Sequence, residues 1–209
     1  MARYVGPVCK LCRREGEKLF FKGSRCLSNK CSFEKRGYAP GQHGKTKRFK
    51  ISGFGIQLRE KQKLKTSYGL LEKQFRNSFR KAEREKGITG ENLLKILESR
   101  LDNVVFRFSF APSRKAARQL VRHRHYTVND KVVDIPSYRL KKGDVVKVRE
   151  GSRKMDIFHE SLRKTRDVSV LPWLSLDKAN LSGVFLEVPN REDIPVNINE
   201  NLIVELYSK

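Results

Sequence analysis

No apolar run in this 209-residue chain approaches the roughly 18 residues needed to span a bilayer as a helix. The opening residues, Met1 to Pro7, contain nothing like the apolar centre of a secretory signal. Both absences argue against a membrane-embedded or exported protein. Hydrophobic residues make up only 38% of the chain and there is a single tryptophan, so small packed cores are expected instead of one large globule. The four histidines (His43, His123, His125 and His159) show no nucleophile-and-base arrangement, and no phosphate-cradling glycine loop precedes a helix. Neither a catalyst nor a small-molecule substrate is expected. Acidic residues are the scarcest class for their size, 23 against 46 basic ones, and leave a formal charge of +23.

That charge is unevenly placed. Residues 1–50 hold 14 basic and 3 acidic residues, net +11; residues 51–100 are net +6 and residues 101–150 net +7. The last 59 residues are net −1. A charge serving only solubility has no reason to stop at residue 150, whereas a surface that neutralises a polyanion does. Nucleic acid is the expected partner, ahead of an anionic membrane surface.

All four cysteines fall within 23 residues, as Cys9-x2-Cys12, a thirteen-residue spacer, and Cys26-x4-Cys31. Two short-spaced thiol pairs suit one tetrahedral structural zinc. The same thiolates also suit an iron–sulfur cluster, which spacing alone leaves open behind zinc. Disulfides are disfavoured without a secretory signal. A catalytic zinc is not expected, because four sulfur ligands leave no position for water. The intervening Glu17–Gly23 reads as a strand ending in a turn, and the nearby arginines and lysines offset a four-thiolate centre's negative charge.

Past the cysteines, Arg36 to Lys50 is basic and punctuated by glycine and proline, with Tyr38 and His43 as stacking faces for unpaired bases. Helical signals follow. Leu58 to Tyr68 is a lysine-rich helix stopped by Gly69. Leu71, Phe75, Phe79 and Ala82 recur at helical spacing up to Gly87. Thr89 can cap a third helix, with Leu94, Leu97, Leu101 and Val105 on its inner face. Ser113 is a good cap for the next helix. There Arg114, Lys115, Arg118 and Arg122 fall within about a 100° arc, with Ala116, Ala117, Leu120 and Val121 opposite. Short alternating runs, Tyr126–Asn129 and Lys131–Ile135, meet at Asn129-Asp130, whose side chains tolerate the positive φ of a two-residue hairpin turn. A third run, Val145–Arg149, follows Gly143-Asp144. Trp173 beside Pro172 reads as a buried anchor. Leu202–Tyr207 is apolar enough for either a strand or a helix.

Three of these elements, Arg100-Leu-Asp-Asn-Val, Ser113-Arg-x-x-Ala-Arg-x-Leu-Val-x-His and Tyr126-Thr-Val-Asn, resemble the S-four RNA-binding domain. The flanks narrow the resemblance. Gly6-Pro-Val-Cys-Lys-Leu-Cys, Pro40-Gly-Gln-His-Gly, Leu58-Arg-Glu-Lys-Gln-Lys-Leu, Gln74-Phe-Arg, Pro172-Trp-Leu-Ser-Leu-Asp and the final Glu205-Leu-Tyr-Ser-Lys are similar to the bacterial-type S-four family of small-subunit ribosomal proteins, and the cysteines to its zinc-bearing branch. Arg124 and Asp130 stand where that family usually has glycine, and Gly37 where proline is expected. These departures bear on local turns and remove no ligand.

The resemblance implies an α+β fold. A basic zinc-binding extension over 1–48 precedes a mostly helical domain over 49–97, to which 185–209 returns. An inserted RNA-binding domain over 98–184, with its core at 98–160, packs helices on a small antiparallel sheet. It also implies a structural component of the small subunit that binds ribosomal RNA early in assembly. Ribosomal protein S-five and the incoming messenger RNA would be its neighbours, in a cytoplasmic ribosome. Together with the basic clusters, the expected RNA-facing set divides by segment. Around the knob it is Arg3, Lys10, Arg13, Arg14, Arg25 and Lys30. In the stretch after it come Arg36, Tyr38, Gln42, His43, Lys45, Lys47, Arg48 and Lys50. The lysine-rich helix supplies Arg59, Lys61 and Lys63. The module supplies Arg100, Ser113, Arg114, Lys115, Arg118, Gln119, Arg122 and His123. Two rival classes are an RNA-modifying enzyme or assembly factor carrying the same module, which lacks the chain length for a catalytic domain, and a DNA-binding regulator, which lacks a legible recognition helix.

Overall fold

The computed structural model describes residues 3–46, 52–164 and 171–208. The chain forms two compact units, Met1–Leu93 with Val196–Lys209, and Leu94–Pro195.

The first unit begins with a knob. Helix α1 (Val8–Glu15) ends at Gly16, whose φ of 71° gives the left-handed cap that a glycine takes without strain. A 3-10 turn over Gly23–Cys26 and the single turn of α2 (Ser32–Lys35) follow. The strand expected over Glu17–Gly23 does not form. Among the described residues no partner strand lies beside it, and its alternate residues Leu19 and Phe21 instead bury against Val8 and Cys12 of α1. Helix α3 (Gly53–Ser67) is capped by Ser52, whose hydroxyl accepts from the Gly55 N–H, and stops before Gly69 at φ 64°. Helix α4 (Glu72–Arg84) buries Phe75, Phe79 and Ala82, the predicted face. The C-terminal segment, ambiguous in sequence, is helix α9 (Glu200–Tyr207), which packs on α3 and buries Ile203. Tyr207 lies tilted by 30° against Phe79 with centroids 4.5 Å apart and donates its hydroxyl to Glu72 at 3.1 Å. That carboxylate also accepts from Lys61 at 2.7 Å and Lys65 at 2.9 Å.

The second unit starts within α5 (Thr89–Glu98). The long helix expected through Val105 breaks at Ser99-Arg100, where an isolated bridge between Arg100 and Arg139 interrupts it, and resumes as α6 (Leu101–Arg107). Leu94, Leu97, Leu101 and Val105 are nonetheless all buried. Helix α7 (Arg114–Arg122) is capped by the Ser113 hydroxyl, which accepts from the Ala116 N–H. Strands β1 (Tyr126–Val128) and β2 (Lys131–Val132) form the expected hairpin, with Asn129 at φ 48° and Asp130 at φ 62°, the paired positive values of a tight primed turn. Strand β3 (Val145–Val148) pairs with β1, and Asn129 bonds both the Val145 N–H and Asp144, which pins the register.

The sheet does not end there. After α8 (Asp156–Lys164), strands β4 (Leu174–Asp177) and β5 (Ser182–Phe185) join on the far side of β3, giving the antiparallel order β2-β1-β3-β5-β4. Trp173 is fully buried against Phe185 in the same core as Tyr126, Phe108 and Phe158. Gly183 of β5 lies against the flat face of Phe108. A methyl there would come within 2.4 Å of the ring.

Candidate nucleic-acid interface

Around the knob, Arg3, Lys10, Arg14, Arg25, Lys30 and Arg36 are exposed, as are Gln42, His43 and Lys45 in the stretch that follows. Arg13 is held in place. Its Nε donates to the Tyr38 carbonyl at 3.0 Å, and its guanidinium lies 4.9 Å from the centre of the Tyr38 ring. The Lys45 ammonium sits 5.2 Å from the same ring. Two cations against one aromatic ring make a pre-ordered spot of positive charge. Lys47, Arg48 and Lys50 lie outside the described residues.

The four cysteines are free thiols, with Cys12, Cys26 and Cys31 buried and Cys9 half-buried. The Lys22 N–H points at Cys26 Sγ from 3.4 Å. Burial pushes the Cys12 thiol up, a backbone hydrogen bond at Leu19 opposes this, and the charges of Cys26, Cys9 and Cys31 add to the rise. The four side chains offer sulfur donors only. Among the described residues, however, no group of three or more His, Cys, Asp or Glu side chains converges closely enough to hold an ion.

On α3 the expected cations are tied down. Lys61 is buried on Glu72, Lys63 reaches Glu17 at 2.5 Å, and Arg59 bonds Glu15 at 3.1 Å. Burial raises the Glu15 carboxyl above its ordinary range, while the Arg59 charge lowers it. The Glu15 and Glu17 bonds fasten α1 and the chain after it to α3, and the Glu72 bond fastens α4 to α3, so Lys61 and Lys63 have internal roles that lysine spacing did not reveal.

Helix α7 divides its cations. Arg122, Gln119 and His123 are exposed, and Arg122 lies 3.6 Å from Asp134. Arg114 is half-buried; its Nε donates to Asn103 at 2.8 Å and its guanidinium covers the Phe106 ring at 4.8 Å. Lys115 is also half-buried. Arg118 is buried, with its guanidinium on Asp102 at 2.9 Å. Arg100 is buried on the same carboxylate through two bonds, at 3.0 and 2.8 Å. Arg100 and Arg118, expected to face RNA, are thus both paired internally. At about 100° per residue Arg118 lies near the edge of the buried face beside Val121, and the α6 carboxylate draws it inward. Ser113 likewise acts as a buried helix cap.

A second polar cluster steadies the exposed face. Glu98 is fully buried and accepts two bonds from Arg107, at 3.0 and 2.6 Å, and one from Asn103 Nδ2 at 2.7 Å. Asn103 in turn orients Arg114. Sequence reasoning missed Glu98, Asp102 and Asn103 in this role. The signal was an acid and an amide set among buried leucines and valines.

Comparison with known proteins agrees with this architecture. Residues 3–98 match the family described as ribosomal protein S4/S9 N-terminal domain, and residues 99–146 match the S4 domain. The chain is 59% identical to the small ribosomal subunit protein uS4 of Desulfosudis oleivorans, 57% to that of Thermoanaerobacter pseudethanolicus and 53% to that of Thermus thermophilus. Each alignment covers the whole of both chains. With relatedness at this level along its full length, the chain belongs to the uS4 family of small ribosomal subunit proteins.

Proposed function

We propose that this chain is a structural, ribosomal-RNA-binding component of the small subunit that helps nucleate folding of the subunit body and supports translational accuracy. The observation that carries the reading is the separation of its cations into two populations. One is buried in ion pairs that hold the scaffold; the other, among Arg3 to Lys45 and at Arg122, is exposed where phosphates can reach it, with the Gln119 and His123 side chains beside Arg122 as further donors. The chain binds as a clamp on folded RNA. Its aromatic residues are largely internal, so it relies on shape and phosphates more than on stacking of splayed bases. The chemistry is binding, not catalysis. Ribosomal protein S-five and the messenger path are part of this proposal on the strength of the resemblance. Affinity for folded ribosomal RNA, for the same RNA unfolded, and for duplex DNA of equal charge is the test. Strong preference for the folded RNA is expected, and equal binding to all three overturns the reading.

The four cysteines are proposed to hold one structural zinc that rigidifies the knob. Support comes from their spacing, from the burial of three of the four thiols, and from the Lys22 N–H aimed at Cys26. Metal analysis of protein purified under reducing conditions should find about one zinc per chain. No zinc, or stoichiometric iron with sulfide, would refute it.

A further inference from the structure

Beside the end of the α7 arc, the second unit carries a cleft of about 690 Å³ where the end of α7, strands β1 and β3 and the turn after β3 meet. Its walls hold four permanent cations, Arg124, Lys147, Arg149 and Arg153, against Asp130 and Glu150. Two of the cations are already matched: Arg124 contacts Asp134 at 3.2 Å and Lys147 contacts Asp130 at 2.9 Å. Arg149 and Arg153 have no carboxylate partner among the described residues, and Arg153 makes only a long bond to the Val148 carbonyl. In the same wall His125 is fixed by a 2.9 Å hydrogen bond between Nδ1 and the buried Ser152 hydroxyl, with His123 6.1 Å away ring to ring. Unmatched guanidiniums beside an oriented imidazole and a hydroxyl are the donor set of a phosphodiester seat.

We propose that this cleft holds one backbone phosphate of the bound RNA, with Arg149 and Arg153 as the charge contacts and His125 as an oriented donor. The inference rests on the RNA-binding reading and adds a second attachment point on the same unit. Occupancy has a proton signature. In the free protein, burial and the positive charges of His123 and Arg149 push His125 below its ordinary range. An anion facing Arg124, Lys147, Arg149 and Arg153 reverses that field, despite Asp130 and Glu150 at the rim, so binding takes up a proton at His125.

The test uses the full chain and a folded small-subunit ribosomal RNA fragment. Arg149→Ala/Arg153→Ala should reduce the salt slope of binding by about 0.9, equivalent to roughly a 3.5-fold smaller affinity loss between 50 and 200 mM salt, with the melting temperature unchanged. The NMR titration of His125 should move to higher pH when RNA is added. An unaltered slope together with an unmoved His125 titration overturns the proposal. Arg122→Ala, run in parallel, separates the two readings. If wild type prefers folded RNA and Arg122→Ala lowers the slope while the double variant does not, the cleft alone fails. If wild type shows no such preference, the RNA-binding reading itself fails.

Discussion

Replacing Arg118 and Arg122 one at a time tests whether helix α7 divides its cations as described. Both are arginines on one helix four residues apart, and helical spacing alone puts them on the same arc. In the fold, Arg118 is buried on Asp102 while Arg122 is about half exposed. Removing one partner of a buried pair costs about 3–5 kcal/mol when the other charge is stranded. Asp102 is not stranded here, since Arg100 still bonds it at 3.0 and 2.8 Å. The expected cost of Arg118→Ala is therefore below that range, about 2 kcal/mol, or roughly 8–16 °C in the melting of this unit. Its salt slope for RNA should match wild type when measured well below the melting range. Arg122→Ala should behave in the opposite way, leaving the melting temperature nearly unchanged and lowering the slope by about one. Calorimetry and a salt titration of RNA affinity on both variants decide it. An Arg118→Ala protein with wild-type melting and a reduced slope would show that Arg118 faces RNA, and the buried pair would be refuted.

Gly183→Ala should destabilise the second unit by about 1–3 kcal/mol, because its new methyl overlaps the buried Phe108 ring; Phe108→Leu in the same chain should restore part of the loss, and a neutral single variant would contradict the packing. Glu72 gives a pH-dependent prediction. Burial alone would raise its carboxyl, but the bonds from Lys61 and Lys65 hold it down at about 2. Its stabilising share is thus fully present above the unfolded carboxylate value of roughly 4.3 and lost as pH falls toward 2. The melting difference between wild type and Glu72→Gln should shrink across that window, and a constant difference from pH 6 to 2.5 would rule the ion pairs out as its source. Cys26→Ser should remove amide protection from the knob around Val8–Lys35 while leaving β1 to β5 protected; loss of protection throughout would mean the knob is not a separate cooperative element.

What the sequence determined was local. Helical spacing marked the buried faces of α4 and α5, Gly69 and Gly87 marked ends, Ser113 marked a cap, and Asn129-Asp130 marked the hairpin, since each depends on residues a few positions apart. The crowding of cations into the first 150 residues and the cysteine spacing were equally plain, because composition and ligand geometry need no fold to be read. Tertiary structure decided what distant residues do to one another. Strands β4 and β5 are only four residues each, too short for their pattern to mark them; β5 becomes a strand because the far edge of β3 offers unpaired backbone groups, and β4 pairs with β5. Leu202–Tyr207 is a helix because packing along α3 buries one side of it at Ile203 while Gln57 of α3 donates to Glu205 at 2.8 Å. Arg118 turned inward because Asp102, sixteen residues earlier, offers a buried carboxylate that water does not compete for. Which cations remain free for a polyanion is set by where the carboxylates fall in space, and charge counting along the chain does not contain that information.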